Sequence, residues 1–297
     1  MNRREMIGSA ALAAAMAPAG AAEAIGTRRS RRAPPTDDVQ LFTRSWGTGR
    51  PILFLHGWAL DSSMWQYQFT DIAERGYRCI AYDRRGHGRS DVPDTGYDLD
   101  TLADDLARVI ERIAQPDLMI VTHSMGASEL LRYIERHGTS RIGRIVLVSP
   151  ATPCLLAGAT NVLGAPPAYF ETLRRAWRKD FPGWIEANKR PFFSPDTSPA
   201  TMDWLARMME KTPLPLAIAT NIGVVEADLR PALGTVDRPT LVVHGDKDAS
   251  APLEATGRPT AAGIAGAKLL IYEGGPHGLF VTHAARLSRD IAEWASP

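Results

Sequence analysis

Two cysteines in 297 residues, Cys79 and Cys154, are too few for a disulfide framework and have no metal-ligand spacing. An excess of charge of one sign is also lacking: 34 Lys and Arg stand against 33 Asp and Glu, a formal net charge of +1. A chain so balanced sets up no field to draw in a phosphate backbone or an anionic surface, so nucleic acid is not an expected partner. No Gly-x-Gly-x-x-Gly opens a helix after a strand, and Gly86-His-Gly88 reads as a turn. No histidine and carboxylate cluster has ligand spacing either, and the expected cofactor list is therefore empty. What the chain does have is core material. Apolar residues make up 44% and charged ones 23%, the composition of a globular protein large enough to bury one core with a small accessory layer.

The N-terminus reads as an address. Met1-Asn-Arg-Arg-Glu-Met-Ile-Gly8 is basic, residues 9–17 are a short alanine-rich apolar run, and Ala19-Gly-Ala21 and Ala22-Glu-Ala24 offer small-residue cleavage sites. The apolar run is too short and too weakly hydrophobic to span a bilayer. Residues 1–24 are thus expected to be a signal peptide and residues 25–38 a flexible leader. Arg3-Arg4 followed by Met6-Ile7 resembles the twin-arginine export signal, which implies a periplasmic or secreted protein with no stable membrane insertion after processing.

The body alternates buried strands with amphipathic helices. Apolar runs at residues 51–55, 77–82, 117–122, 142–149, 239–244 and 268–272 predict strands. Helical material lies at 61–75, 99–113, 125–137 and 284–294, the second with apolar residues at Leu102, Leu106, Val109, Ile110 and Ile113. This rhythm predicts a mostly parallel sheet covered on both faces, in the α/β class, with working residues at the C-terminal ends of the strands. It breaks once. Residues 151–229 carry no clear strand, several Pro and Gly, and many aromatics, and are expected to form a helical cap inserted into a core made of residues 39–150 and 230–297.

One serine stands out. Ser124, in Thr122-His-Ser-Met-Gly126, lies between a strand and a helix, where a sharp turn projects its hydroxyl clear of the sheet as a nucleophile. Such a hydroxyl needs a base held by a carboxylate. His277, in the glycine-flanked loop Glu273-Gly-Gly-Pro-His-Gly278 after the last strand, is the expected base, while His56 and His123 sit beside strand ends where they orient loops. In Gly245-Asp-Lys-Asp-Ala249, Asp248 should reach the far nitrogen of His277, and Asp246 is better placed to hold backbone amides. The order Ser124, Asp248, His277 is that of this fold's triads. The backbone amides of Met125, in the first turn of its helix, and Trp58, in the loop after the first clear strand, are the expected oxyanion donors.

The stretches His56-Gly-Trp-Ala-Leu-Asp61, Tyr82-Asp-Arg-Arg-Gly-His-Gly-Arg-Ser90, Thr122 to Gly126 and His244 to Asp248, with Gly275-Pro-His-Gly-Leu-Phe280, resemble the α/β-hydrolase family of bacterial aryl esterases and cofactor-free, non-haem chloroperoxidases. The resemblance runs from about residue 39 to 294. It implies hydrolysis of small aryl or alkyl esters, sometimes lactones, with peracid formation as a side reaction and a small ester as substrate partner. Family members efficient in perhydrolysis often have proline directly after the tryptophan. Here that residue is Ala59, which leaves φ free where proline would fix it, and the expectation is therefore an esterase, with perhydrolase or lactonase as the alternative. A non-enzymatic binding module on a vestigial hydrolase fold is the reading from another class.

Replacing Arg3-Arg4 with Lys-Lys is expected to trap the precursor inside the cell. Fractionation with N-terminal sequencing checks this, and unchanged export would rule out the twin-arginine route.

Overall fold

The computed structural model describes residues 39–296, so the expected signal peptide and leader lie outside the described residues. The described chain forms a seven-stranded sheet in the order β1-β3-β2-β4-β5-β6-β7. Its strands are β1 (Thr43–Trp46), β2 (Arg50–Leu55), β3 (Tyr77–Tyr82), β4 (Leu118–His123), β5 (Ile142–Val148), β6 (Thr240–Gly245) and β7 (Lys268–Tyr272). Every pairing is parallel except that of β1 with β3. Side chains on a strand point alternately to opposite faces, and the apolar runs divide accordingly. Leu53, Leu55, Ile120 and Leu147 enter one core with α2 (Leu99–Ile113) and α3 (Met125–His137). Ile52, Phe54, Val121 and Val146 enter the other with α1 (Gln66–Glu74) and α11 (Ala284–Ala295).

Helix α2 begins and ends where the sequence places it. Asp98 caps its first turn by accepting the Thr101 amide at 3.1 Å, and Ala114 closes it in the left-handed region. Strand β1 escapes sequence reading because its four residues are mostly exposed and show no buried alternation. The helical stretch expected at 61–75 is a 3-10 turn at Ser62–Trp65 followed by α1. Both cysteines are free, and burial pushes the Cys79 thiol up to about 12.

Chain order fixes the position of the site. From β2 the chain crosses to β3 on one side, and from β4 it crosses to β5 on the other, so a crevice opens between the carboxyl ends of β2 and β4. His56-Gly57-Trp58 leaves one edge of that crevice and Ser124-Met125 the other. Between β5 and β6 the chain inserts α4 (Pro167–Lys179), α5 (Phe181–Asn188), α6 (Pro199–Glu210) and α7 (Leu214–Glu226), each with proline in its first turn. These form the expected cap, with a core of its own around Trp177, Phe181, Ile185 and Ile218. Three short helices, α8 (Arg230–Leu233), α9 (Gly257–Gly263) and α10 (Leu279–Thr282), complete the chain. Among the described residues no helix is long and apolar enough to cross a membrane.

Candidate active site

Ser124 turns the chain from β4 into α3 at φ 51° and ψ −115°, a region that costs a residue with a side chain about 1–3 kcal/mol. The surroundings hold it there. Its amide donates to Val148 O at 3.0 Å, and its carbonyl accepts the amides of Ala127 at 3.0 Å and Ala151 at 3.3 Å. Two residues on, a Cβ at Gly126 would lie 3.1 Å from both the Cβ and the carbonyl of Leu55, so any larger residue would push α3 a few tenths of an ångström from the end of β2. Thr122, two residues before, is an ordinary buried strand residue paired with Leu55, and the turn forms with a β-branched side chain there.

The loops after β6 and β7 meet beside this turn. His277 Nδ1 donates to Asp248 Oδ2 at 2.6 Å, with both residues buried, which leaves Nε2 as the lone-pair nitrogen. The other carboxylate oxygen, Asp248 Oδ1, accepts the amides of Ser250 at 2.9 Å and Ala251 at 2.7 Å. Burial pushes the Asp248 carboxyl up, but the positive charge and hydrogen bonds of His277 and His244 outweigh it, and the group sits well below the usual carboxylate range. Asp246 takes the other role expected of it and accepts the Gly274 amide at 2.7 Å. The two loops touch directly, since a Cβ on Gly245 would fall 2.0 Å from Gly275 O.

The Gly57-Trp58 loop faces Ser124 from the end of β2. No acceptor among the described residues takes the amide of Trp58 or of Met125, the first residue of α3. Trp58, Ser124, Met125 and His277 line one cavity of about 340 Å³, walled by Tyr169, Phe170, Trp177 and Phe192 of the cap. The cap is thus part of the site. It also grips the loops: Trp58 Nε1 donates to Ala217 O at 2.8 Å, Thr212 Oγ1 to Ala59 O at 3.1 Å, and Gly278 N to Phe192 O at 2.9 Å. The Trp58 ring stacks on Trp177 at 4.7 Å.

Two residues carry more than their sequence suggested. His123 is pushed down to about 3, by burial first and then by the charge of His277, and its Nε2 donates to the His277 carbonyl at 3.0 Å. Neutral and fully enclosed, it braces the loop of His277. Ala59 corrects an expectation. Its φ is not free but held at 54°, in a wholly buried position, so this loop has no place for the φ near −65° that proline demands. Among the described residues no group of three or more His, Cys, Asp or Glu side chains is placed to hold a metal ion.

Ala59→Gly is therefore expected to leave stability unchanged or raise it by up to about 1 kcal/mol, because it relieves a left-handed alanine. Ala59→Pro should cost more than about 1 kcal/mol. Urea denaturation measures both, and a proline variant as stable as the native protein would show that the loop is freer than its φ implies.

The arrangement has relatives. The sequence profile of the Alpha/beta hydrolase family matches residues 52–290. The chain is 37% identical over 272 residues to a protein named "Non-heme chloroperoxidase" from Kitasatospora aureofaciens, covering 87% of this chain and 96% of that one. Among solved structures, a bromoperoxidase from Bacillus anthracis superposes with a TM-score of 0.83 at 31% identity, covering 86% of this chain and 95% of its own. An esterase from Exiguobacterium antarcticum does so with 0.84 at 28%, covering 88% and 97%. On its sequence, its sheet and its cap, the chain belongs to the α/β-hydrolase family.

Proposed function

We propose that the protein is a serine-dependent acyl transferase that passes an acyl group from a small ester or carboxylic acid to hydrogen peroxide or water. The observation that carries this is the buried 2.6 Å bond between Asp248 and His277, the latter lining the same cavity as Ser124 on its strained turn and as Trp58 and Met125, the two residues whose amides are without acceptors. His277 Nε2 takes the Ser124 proton as Oγ attacks the carbonyl, and ionised Asp248 stabilises the imidazolium that results. The amides of Trp58 and Met125 receive the negative oxygen. Collapse expels alcohol or water and leaves an acyl ester on Ser124. Water then returns the acid, or hydrogen peroxide releases a peracid, RCO₃H, and restores the serine hydroxyl. The peracid oxidises a halide ion in solution and consumes one proton, giving RCO₂H and hypohalous acid.

Perhydrolysis takes the first place in this reading, ahead of plain ester hydrolysis. Support for the peroxide route comes from the names of a relative at 37% identity and a structural neighbour at 31%, a chloroperoxidase and a bromoperoxidase. Ester hydrolysis remains as the reaction of the same intermediate with water.

Ser124→Ala is expected to keep its fold while losing p-nitrophenyl acetate hydrolysis by about 10⁴-fold or more, and an organophosphonate should add one equivalent of mass at Ser124 in the native protein. Asp248→Asn should lose about 10³-fold or more and Asp246→Asn less than about tenfold. Full activity in folded Ser124→Ala would move the nucleophile elsewhere, and a native protein that neither hydrolyses the ester nor takes up the phosphonate would leave a binding module as the better reading. With acetate and hydrogen peroxide, the native protein should form peracetic acid and brominate an added dye precursor in the presence of bromide. Brisk ester hydrolysis without any peracid would return the protein to the simple esterases.

A further inference from the structure

Beneath the site lies a buried charge cluster that the acyl chemistry does not use. Arg84 and Glu129 are both fully enclosed, with Arg84 Nε and Nη2 each 2.6 Å from Glu129 Oε2, and the Tyr82 hydroxyl donates to Glu129 Oε1. Stability alone does not account for such a pair. Well-packed apolar residues of similar volume are often as stabilising or more so, because two charges need not then be stripped of water.

Its connections say more. Arg84 Nη2 donates to the His56 carbonyl at 3.0 Å, and the Arg84 amide donates to His56 Nε2 at 3.0 Å. The Arg84 amide can only donate, so His56 Nε2 accepts and the His56 proton lies on Nδ1, which donates to Gly57 O at 2.9 Å and takes no hydrogen bond from Arg84 Nη1, 3.2 Å away. Burial and then the Arg84 charge hold this imidazole well below its usual pKa, so it stays neutral and keeps that tautomer. Gly57 O and the Trp58 N–H are opposite ends of one planar peptide, and fixing the carbonyl therefore aims the amide. Glu129, on the other side of the pair, stands one turn beyond Met125 on α3.

We propose that the Arg84–Glu129 pair is the positioning element of the oxyanion hole, joining the loop that carries the Trp58 amide to the helix that carries the Met125 amide and setting the distance between the two donors. The inference rests on the acyl-transfer reading above. A misaligned donor is felt where negative charge develops and much less in the ground state, so loss of the pair lowers kcat and spares KM.

The test replaces the whole cluster by apolar residues, Tyr82→Phe with Arg84→Met and Glu129→Leu, so that no buried charge or hydroxyl is left alone. Phosphonate labelling counts the molecules with a reactive Ser124 in each preparation. Per labelled molecule we expect kcat for p-nitrophenyl acetate to fall at least tenfold, KM to stay within threefold, and affinity for a boronic acid that mimics the tetrahedral intermediate to fall by the same factor as kcat/KM. The single change Glu129→Gln, close to isosteric and keeping an acceptor for Arg84, should show the same pattern at three- to tenfold, and it decides the matter if the triple variant does not fold. Native kcat and boronate affinity in a folded triple variant or in Glu129→Gln, or a rise in KM at unchanged kcat, would overturn the proposal and leave the acyl-transfer reading standing. Failure of the phosphonate to label the native protein would instead sink that reading and this inference with it.

Discussion

Ser124 is held at a backbone angle it would not choose. A serine at φ 51° is paid for by neighbours that leave it no alternative: β5 takes its amide through Val148, and its carbonyl is shared between the amides of Ala127 and Ala151. The parallel register of β2, β4 and β5 brings these partners to one level, and Gly126 lets α3 start against the backbone of Leu55. Strain of about 1–3 kcal/mol persists only because the sheet over-determines it. The same bonds do chemical work. Ser124 O and the Met125 N–H belong to one planar unit, so the bonds that hold the carbonyl also fix the direction of the amide of Met125, a residue that lines the cavity.

The cap walls one side of the cavity beside this turn. Of its contacts with the core, three hydrogen bonds fall on the loops that carry the machinery, two on Trp58-Ala59 and one on Gly278 beside His277. The aromatic wall over Ser124 and the aim of the donors are therefore one mechanical system. An acyl group that displaced Trp177 would press on the stacked Trp58 ring, and the backbone of Trp58 would feel it. On the proposed acyl-transfer reading, choice of acyl group and choice between water and peroxide would thus be coupled through one residue. A difference of about 1.4 kcal/mol between two transition states changes their ratio tenfold, a small demand on so constrained a loop.

Sequence reading reached the parts of the fold whose signal is local. Buried parallel strands leave continuous apolar runs, and α2 and α3 have the bounds that periodicity and capping place on them. The same holds for the division of labour between Asp246 and Asp248, because position along a short loop decides which of them reaches across. What was not legible depends on distant partners. The exposed residues of β1 become a strand only when β3 is there to pair with them. The left-handed Ala59 looks like any alanine until the cap's Thr212, 153 residues away, holds its carbonyl. His123 looked like a strand-end residue, and its acceptor lies 154 residues further on.

On the proposed acyl-transfer reading, a site with several histidines also needs a reason why one of them should be the base. His56, His87 and His123 are all driven toward the neutral form, chiefly by burial, with His87 and His123 pushed down to about 3. Each has a ring nitrogen on a backbone carbonyl: Gly57, Arg85 and His277 respectively. A carbonyl dipole orients an imidazole but compensates little of the cost of charging it in a dry interior, so these rings serve as fixed donors. His277 differs in one partner. Its Nδ1 meets a carboxylate held well below its usual range by His277 itself and by His244 against the cost of burial, and a full negative charge at 2.6 Å is what a transient imidazolium requires. On that reading the same buried environment keeps His56, His87 and His123 as neutral donors and leaves His277, with Asp248 at its Nδ1, to act as the base.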